Sequence, residues 1–564
     1  MVTIAAAILR FFKSTAPIWA VFSVLLIAIG WLLPNHTMPW TSFHQEAWIS
    51  LAFLPLGLIG IIKAPAKFPL DWFGCLLVTI CTIPLIQFAF GEIAFFGSAW
   101  LSSLYLLGFL GAFFVGRFWN LDHQWQIVDL LCLAIAVASV ISVFLQLYQF
   151  FQLDGLRIWV IDTPGRYPAA NVAQQNQLAT LLLLGVVSVF WARIRVKISW
   201  FLAAPVLLLL GMGLALTGSR TAGLGVAVIV AAFWYWGRLW TDKKIPWVAL
   251  LFAIYTLICA FLINWFYDIL QGDGGLVQSQ ISKAVSDPRI TIWKLLTGAL
   301  MERPLWGYGW GNVAEAHIFE ALNYPPLHIV FSSSHNLFLD ILLWCGIPIG
   351  GFIIISLVFW LYRQFRRVNT AERAVSLCFL LVVGNHSMLE YPLQYAYFLL
   401  PVGAIAGALS VSRGGDAAIV WMRKRYVVLM VLSLIVALVI TIADYFKVEH
   451  SYRLLRMEWA GLTLDPDAKP PSVLALTQWN HVIKLARMSP RRGMSDDELE
   501  ELRNVALYAH KPLDFRNISY SLVLNGRKPE GEIWLNRLCS VGLVKNCELS
   551  RQEFKAISAN TIKN

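Results

Sequence analysis

Residues 426–443 read YVVLMVLSLIVALVITIA, eighteen uncharged positions that directly follow Arg423-Lys424-Arg425. An α-helix of roughly 20 apolar residues crosses the hydrocarbon core of a bilayer, and basic residues mark its cytoplasmic end. This stretch therefore predicts both a transmembrane helix and its direction. The rest of the chain has a similar bias, because 58% of its 564 residues are hydrophobic, 14% are charged and the mean hydropathy is +0.65. Soluble domains carry about 25% charged residues, so a single water-soluble globular protein is excluded.

Apolar stretches of similar length recur along the chain. We predict about thirteen transmembrane helices, at approximately 16–33, 47–62, 70–90, 99–116, 127–150, 177–192, 200–217, 221–237, 246–264, 336–360, 374–389, 396–411 and 426–443. The first is followed by Pro34-Asn35-His36 rather than by a small-residue cleavage site, so we interpret it as a retained span. The predicted fold class is an all-α polytopic integral membrane protein, with a membrane region at 1–443 and a small periplasmic α-helical C-terminal domain at 444–564.

The orientation follows from the basic residues between the predicted spans. Nineteen of the 26 Lys and Arg residues in the membrane region lie on one side and seven on the other. The positive-inside rule assigns the first side to the cytoplasm, which places the N-terminus inside and, with an odd number of spans, the C-terminal domain outside. The formal net charge of +11 is therefore largely topological, and no nucleic-acid partner is needed to explain it. The seven exceptions are Arg157, Arg166, Arg220, Lys283, Arg289, Lys294 and Arg303.

Polar motifs concentrate on the predicted outer side, in and around periplasmic loops at 34–46, 151–176 and 265–335. Each motif also has an ordinary explanation as solvated charge, a helix cap or an interfacial aromatic belt. The orientation was assigned from other residues, and yet all of these motifs fall on the predicted outer side. This agreement predicts a functional site on that side. The motifs are Gly165-Arg166-Tyr167, the amide run 171–177 with Gln174 and Asn176, Ser219-Arg220-Thr221, Arg289 with Trp293, Ser334-His335-Asn336 and Glu390-Tyr391-Pro392.

In combination these motifs resemble the bacterial O-antigen ligase and polymerase (Wzy/WaaL) superfamily. The protein O-oligosaccharyltransferase branch, the pilin-glycosylating PglL-type ligases, is the most similar. The further segments that support the resemblance are Pro39-Trp40-Thr41-Ser42-Phe43-His44-Gln45-Glu46, Ala222-Gly223, Pro304-(x2)-Gly307-(x)-Gly309-Trp310-Gly311-Asn312, Leu339 and Leu393.

The resemblance implies a GT-C-like enzyme of the bacterial inner membrane. Such an enzyme transfers a preassembled glycan from undecaprenyl diphosphate to Ser or Thr hydroxyls of periplasmic proteins such as pilin. His335 matches the family's essential histidine, Arg220 an arginine that binds the diphosphate, and Gln174 and Tyr391 positions that matter for transfer. Gln175 stands where the family usually has proline, a departure that bears on the shape of the loop around Gln174.

The chemistry of these residue types agrees with that reaction. Displacing a diphosphate builds negative charge on the leaving group, which arginines stabilise through charge-assisted hydrogen bonds. We therefore predict that Arg220, Arg289 and Arg166 bind the diphosphate, and that His335 accepts the acceptor's proton or orients its hydroxyl. Asn176, Asn336 and Glu390 are predicted to position glycan or acceptor, together with Gln174 and Tyr391. No metal and no cofactor are predicted, because Asp465-Pro466-Asp467 favours a turn over a metal-binding DxD.

Two alternatives and one cysteine pair stay open at this point. The same glycan could go to lipid A–core or be polymerised, since the acceptor is poorly readable from one sequence. A transporter of lipid-linked glycans is disfavoured, because it should carry ionisable residues at mid-membrane.

In the tail, residues 496–510 are patterned as a helix with Ser495 as its cap. Cys539 and Cys547, with seven residues between them, are the tail's two cysteines and form a disulfide only if their geometry allows.

Overall fold

The computed structural model describes residues 18–122, 124–156, 158–162, 167–271, 288–411, 418–462 and 469–562. Arg166 and Asp465-Pro466-Asp467 therefore lie outside the described residues. The structure is 75% helical. Its helices are α1 Ile18–Gly30, α2 Phe43–Lys63, α3 Trp72–Ile80, α4 Ile83–Ala89, α5 Phe96–Asp122, α6 Gln126–Phe150, α7 Gln175–Arg195, α8 Trp200–Leu216, α9 Arg220–Tyr235, α10 Ile245–Gln271, α11 Pro288–Glu302, α12 Val313–Glu320, α13 Leu337–Arg366, α14 Ala371–Ser387, α15 Ala396–Ser410, α16 Lys424–Trp459, α17 Thr477–Ala486, α18 Asp496–Ala509, α19 Pro512–Leu524, α20 Lys528–Val541 and α21 Val544–Ile562.

Every apolar stretch predicted to span the membrane coincides with a helix, and the stretch 70–90 coincides with the pair α3 and α4. Within the described ranges, eight helical segments are long and apolar enough to cross a bilayer, judged by length and composition. The helices α8, α9 and α15 are apolar but shorter. The chain is therefore a mostly helical, polytopic membrane protein. The total of thirteen spans and the periplasmic position of the C-terminal domain stay predictions.

A small antiparallel ladder was not predicted. Strand β1, Lys67–Leu70, pairs with β2, Val420–Arg423, so that Lys67 lies opposite Arg423 and Leu70 opposite Val420. Strands of four residues, one of them containing Pro69, give almost no alternating pattern in the sequence. The Arg117 guanidinium donates to the Pro69 carbonyl oxygen at 2.9 Å, which fixes β1 against α5.

The helices group into two compact units. The first comprises residues 1–78, 105–286 and 358–436, and the second 79–104, 287–357 and 437–564. In the first unit, glycines let helices approach closely, because a Cβ added at Gly116 would lie 1.8 Å from the Ala404 carbonyl oxygen and one at Gly407 1.9 Å from that of Phe113. Such small-residue contacts are typical of membrane helix packing. Asp129, one of the few charges within a span, accepts hydrogen bonds from Trp191 and Arg195.

In the second unit, helix α13 bends at Gly346, which has φ +72° and precedes Pro348. A kink frees backbone groups that need other partners. The segment 303–312 supplies them, because the Tyr308 N–H donates to the Leu343 carbonyl and the Ile347 N–H donates to the Pro304 carbonyl, both at 2.7 Å. The glycine- and tryptophan-rich part of the predicted loop 265–335 is therefore packed on the kink, and the same loop also contains α11 and α12.

The C-terminal helices share a core with elements from the membrane region of the second unit. Phe95 and Ile318 are buried in the same cluster as Leu499, Phe515 and Trp534. Helix α18 begins as predicted, with a capping box between Ser495 and Glu498. Helix α16 runs without a break across the predicted domain boundary at 443/444, and Cys539 and Cys547 form a disulfide.

The cysteines allow a direct test of this arrangement. Six cysteines are free and two are paired, so unreduced, denatured protein should take up six maleimide-polyethylene glycol groups and reduced protein eight. Gel shifts of protein from intact cells measure this number. A Cys539→Ser/Cys547→Ser variant should take up six under both conditions, and eight groups on unreduced wild-type protein would contradict the disulfide.

Candidate functional site

The first unit brings together Asn176, Ser219 and Glu390, which were predicted from separate motifs. The Asn176 side-chain amide donates to Glu390 Oε1 at 2.9 Å, and the Ser219 hydroxyl donates to Asn176 Oδ1 at 2.7 Å. Ser219 also caps α9 by accepting the Ala222 N–H at 3.2 Å. We call Gln174, Asn176, Ser219, Glu390 and Tyr391 the amide–carboxylate cluster. It links the starts of α7 and α9 to the segment that follows α14.

Arg220 is the first residue of α9 and is exposed. The preceding Gly218 has φ +59°, and a Cβ there would lie 2.5 Å from the Tyr167 ring. Only glycine fits that backbone and that contact. The start of α9 is thus held from two sides, by Tyr167 and by Asn176. The positive end of the helix dipole and a guanidinium at the same place favour an anion.

Tyr391 connects Gln174 to the rest of the amide–carboxylate cluster. Its hydroxyl is hydrogen-bonded to the Gln174 and Tyr395 side chains, while burial and the Glu390 charge raise its pKa. The phenol is therefore neutral at physiological pH and able to donate. Gln175, at the position where the family usually has proline, begins α7 and donates its side-chain amide to the Tyr167 carbonyl at 3.2 Å. Gln174 reaches Tyr391 without that proline.

Sequence reasoning did not single out the pair Thr180 and His386. These side chains share a hydrogen bond of 2.7 Å one helical turn from Asn176 along α7 and one turn from Glu390. Both are buried. The spacings 176/180 and 386/390 could have shown this, because i and i+4 lie on one helix face. Two side-chain hydrogen bonds, Asn176–Glu390 and Thr180–His386, therefore join α7 to α14 and to the segment that follows it.

Glu46 and Asn171 also have roles that were not predicted. Glu46 is buried and accepts hydrogen bonds from Ser42, Tyr105, the Trp40 indole and the Ala396 N–H, which begins α15. The Asn171 carbonyl accepts from His36 and Gln45, and its side chain donates to the Leu32 and Trp159 carbonyls at 2.7 Å each. Both residues lie in quoted motifs, but nothing in the sequence separates these connecting roles from contact with a ligand.

In the second unit, Asp340 fixes the segment Ser333–Asn336, which we call the His335 turn. The buried Asp340 carboxylate accepts the Ser333 hydroxyl at 2.8 Å and the Ser334 N–H at 2.7 Å. Ser333 in turn accepts the His335 N–H at 3.1 Å, and His335 has φ +57°. The imidazole is half-buried. A histidine in a left-handed conformation needs such support.

Asn336 and Arg289 lie next to this turn. Asn336 Oδ1 accepts the N–H groups of Phe338 and Leu339 at 3.0 and 3.2 Å, so this residue, which was predicted to position glycan or acceptor, caps α13 with its side chain. The Trp293 indole donates to the Ser334 carbonyl at 2.8 Å. Arg289 lies one turn earlier on α11 and is half-buried. Trp293 thus connects the helix that bears Arg289 to the His335 turn.

His317 on α12 supports the approach to the turn. Its Nδ1 accepts the Phe331 N–H at 3.0 Å, and the Phe331 ring contacts both His317 and His335 at centroid distances of 5.7 and 6.0 Å. Burial and the nearby His510 lower the pKa of His317 to about 4. The neutral imidazole that acceptance at Nδ1 requires is therefore the stable form. No sequence signal pointed to His317, because its helix fell inside a predicted loop.

Replacing Asp340 by alanine should loosen the His335 turn, because Ser333 and the Ser334 N–H lose a buried acceptor at about 1–3 kcal/mol per group. We expect severalfold faster modification of His335 by diethylpyrocarbonate, followed by mass spectrometry. Asp444→Ala is the matched control, since Asp444 is another buried carboxylate that accepts three backbone N–H groups in the same unit. Equal modification rates in both variants would contradict the assignment.

The lowered pKa of His317 predicts a pH dependence of stability. An unfolded histidine has a pKa of about 6.5, so between pH 6.5 and 4 the unfolded chain binds more protons and stability falls as the pH drops. His317→Gln keeps an acceptor for Phe331 without titrating. From pH 6.5 to 4.5 the wild type should lose roughly 1–3 kcal/mol more than this variant. Burial raises the pKa of Asp514 to about 6. The contribution of this group to stability therefore rises as the pH falls, and it does so equally in the wild type and in the variant. Parallel unfolding curves would refute the role of His317.

Comparison with known proteins finds two matching family profiles. The sequence profile described as O-antigen ligase matches residues 205–355, and that described as virulence factor membrane-bound polymerase, C-terminal, matches residues 374–541. Together they cover more than half of the chain. The first match includes Arg220, Arg289 and the His335 turn, and the second includes Glu390 and Tyr391.

Two relatives match over most of their length. The chain is 29% identical to a general O-oligosaccharyltransferase of Acinetobacter baylyi over 536 residues, which is 92% of this chain and 91% of that protein. It is 25% identical to a ComP-specific O-oligosaccharyltransferase of the same bacterium over 408 residues, 71% of this chain and 72% of the relative. No solved structure matches significantly. These matches support the O-antigen ligase and polymerase superfamily, and within it the O-oligosaccharyltransferase branch.

Proposed function

We propose that this chain transfers a preassembled oligosaccharide en bloc from undecaprenyl diphosphate to Ser or Thr hydroxyls of periplasmic proteins such as pilin. The reaction takes place at the outer face of the bacterial inner membrane. Both relatives are named O-oligosaccharyltransferases, which supports a protein acceptor over lipid A–core and over polymerisation.

One observation carries the proposal most directly, the guanidinium of Arg220 at the start of α9. Its position depends on the hydrogen bonds from Ser219 to Asn176 and from Asn176 to Glu390. A diphosphate at the bilayer surface requires fixed positive charge, and arginine can bind two phosphate oxygens at once. Arg220 therefore binds the diphosphate, and Arg289 and Arg166 contribute further charge.

The chemical step is a single displacement. The acceptor oxygen bonds to the anomeric carbon while the bond from that carbon to the phosphate oxygen breaks, and the configuration inverts. The proton of the acceptor hydroxyl passes to His335, and undecaprenyl diphosphate leaves with its charge stabilised by arginine. General base catalysis of this kind contributes typically 10²–10⁴-fold. The step uses no metal ion, because arginine neutralises the leaving group.

The remaining predicted residues position the reactants. Gln174 presents an amide and Tyr391 a neutral phenol. Asn176 and Glu390 hold these two side chains and the start of α9 in place. Asn336 acts through the backbone of the His335 turn, because its side-chain oxygen caps α13. These groups contact glycan or acceptor, or orient those that do.

Coexpression with a lipid-linked glycan pathway and a pilin-like acceptor tests the function. Intact-mass spectra should show glycosylated pilin with the wild type, and a loss of at least 100-fold with His335→Ala and with Arg220→Ala. The controls His450→Ala and Arg238→Ala remove exposed residues of the same types and should leave the yield unchanged.

Other outcomes of the same experiment overturn specific parts of the proposal. Unmodified pilin together with modified lipopolysaccharide would assign the chain to the lipid A–core acceptor. Wild-type yields from both His335→Ala and Arg220→Ala would refute the mechanism.

A further inference from the structure

An exposed apolar segment follows α6 in the first unit. Residues 150–161, which we call the apolar loop, read FFQLDGLRIWVI. The exposed fractions of Phe151, Ile158 and Trp159 are 63%, 78% and 64%. Arg157 lies outside the described residues. A contiguous set of large apolar side chains facing outward marks a surface that contacts another apolar phase.

The apolar loop continues the lipid-facing side of α6. Ile141 and Phe144 are exposed on the helix, and Tyr148 and Phe151 follow on the same face at helical spacing. The opposite face carries Gln146, whose amide donates to the Pro168 and Gly213 carbonyls. The apolar stripe that faces acyl chains along α6 therefore extends into the loop without interruption.

Most of the described backbone N–H groups of the apolar loop have a hydrogen-bond partner within the protein. Water is scarce near acyl chains, so N–H groups there need partners within the protein. Beyond the end of α6, seven loop N–H groups have one. They are Phe151 to Leu147 O at 3.0 Å, Gln152 to Gln149 O at 3.1 Å, Leu153 to Tyr148 O at 3.1 Å, Leu156 to the Tyr148 hydroxyl at 2.8 Å, Trp159 and Val160 to Leu156 O at 2.8 and 2.9 Å, and Ile161 to Asn171 Oδ1 at 3.1 Å.

The same loop is bonded to the segment that leads into the amide–carboxylate cluster. Asn171 donates to the Trp159 carbonyl at 2.7 Å, and Gln149 donates to the Ile161 and Ala170 carbonyls at 2.8 and 3.1 Å. Asn171 lies three residues before Gln174. The depth of the loop in a bilayer therefore constrains the depth of the cluster.

We propose that the apolar loop is an interfacial anchor, in which Phe151, Ile158 and Trp159 insert among the phospholipid acyl chains of the outer leaflet. The loop contacts bilayer lipid rather than another protein, because its exposed surface continues that of a spanning helix and most of its backbone N–H groups are bonded within the protein. The anchor holds the amide–carboxylate cluster at the level of the lipid headgroups.

Photocrosslinking tests the anchor in the full-length chain. p-Benzoylphenylalanine replaces Ile158 in protein reconstituted into nanodiscs of phosphatidylethanolamine and phosphatidylglycerol, and adducts are identified by mass spectrometry after irradiation. The matched control carries the probe at Leu543, a C-terminal residue that is 65% exposed. We expect at least tenfold more phospholipid adduct at position 158 than at 543.

Equal yields of lipid adduct at the two positions would overturn the anchor. So would a crosslink from position 158 to a second copy of the chain, or to a pilin-like protein added to the nanodiscs. A probe at Trp159 repeats the measurement should the Ile158 variant express poorly. The experiment needs no glycan donor, so its outcome is independent of the proposed transfer reaction.

Discussion

The hydrogen bonds from Ser219 to Asn176 and from Asn176 to Glu390 are the constraint on which the candidate site of the first unit depends. Three elements distant in sequence, the starts of α7 and α9 and the segment after α14, meet through these two bonds of 2.7 and 2.9 Å. In a low-dielectric setting, a polar group without a partner is costly. The same bonds that satisfy Asn176 therefore also fix the place where α9 begins and Arg220 emerges.

The second unit uses a carboxylate for a comparable purpose. Asp340, one turn after Asn336, holds Ser333 and Ser334 so that His335 keeps a left-handed backbone. Trp293 adds a third attachment through the Ser334 carbonyl. In each unit a hydrogen-bonded polar residue, the half-buried Asn176 or the buried Asp340, determines where a functional side chain lies, which is how preorganised sites maintain their geometry.

The sequence predicted the helical membrane architecture well, because runs of about 20 uncharged residues have few alternatives to a spanning helix. It also named Asn176, Glu390 and Gln174, which the structure brings together. It did not predict the β1–β2 ladder, the docking of segment 303–312 on the kink at Gly346, or the acceptor role of His317. Each of these depends on backbone groups or on partners far away in sequence, and hydropathy and spacing do not record such contacts.

The central claim is that Asn176 places Arg220 on the diphosphate of the donor. A double-mutant cycle tests it, with the affinity of the purified chain for an undecaprenyl-diphosphate-linked oligosaccharide measured for Asn176→Ala, Arg220→Ala and the double variant. When two residues act as one unit, the free-energy changes caused by mutating them do not add. The double variant should bind donor about as weakly as Arg220→Ala alone, with a coupling free energy of roughly 1–2 kcal/mol between the two positions. Strictly additive losses, or wild-type affinity in Arg220→Ala, would contradict the claim.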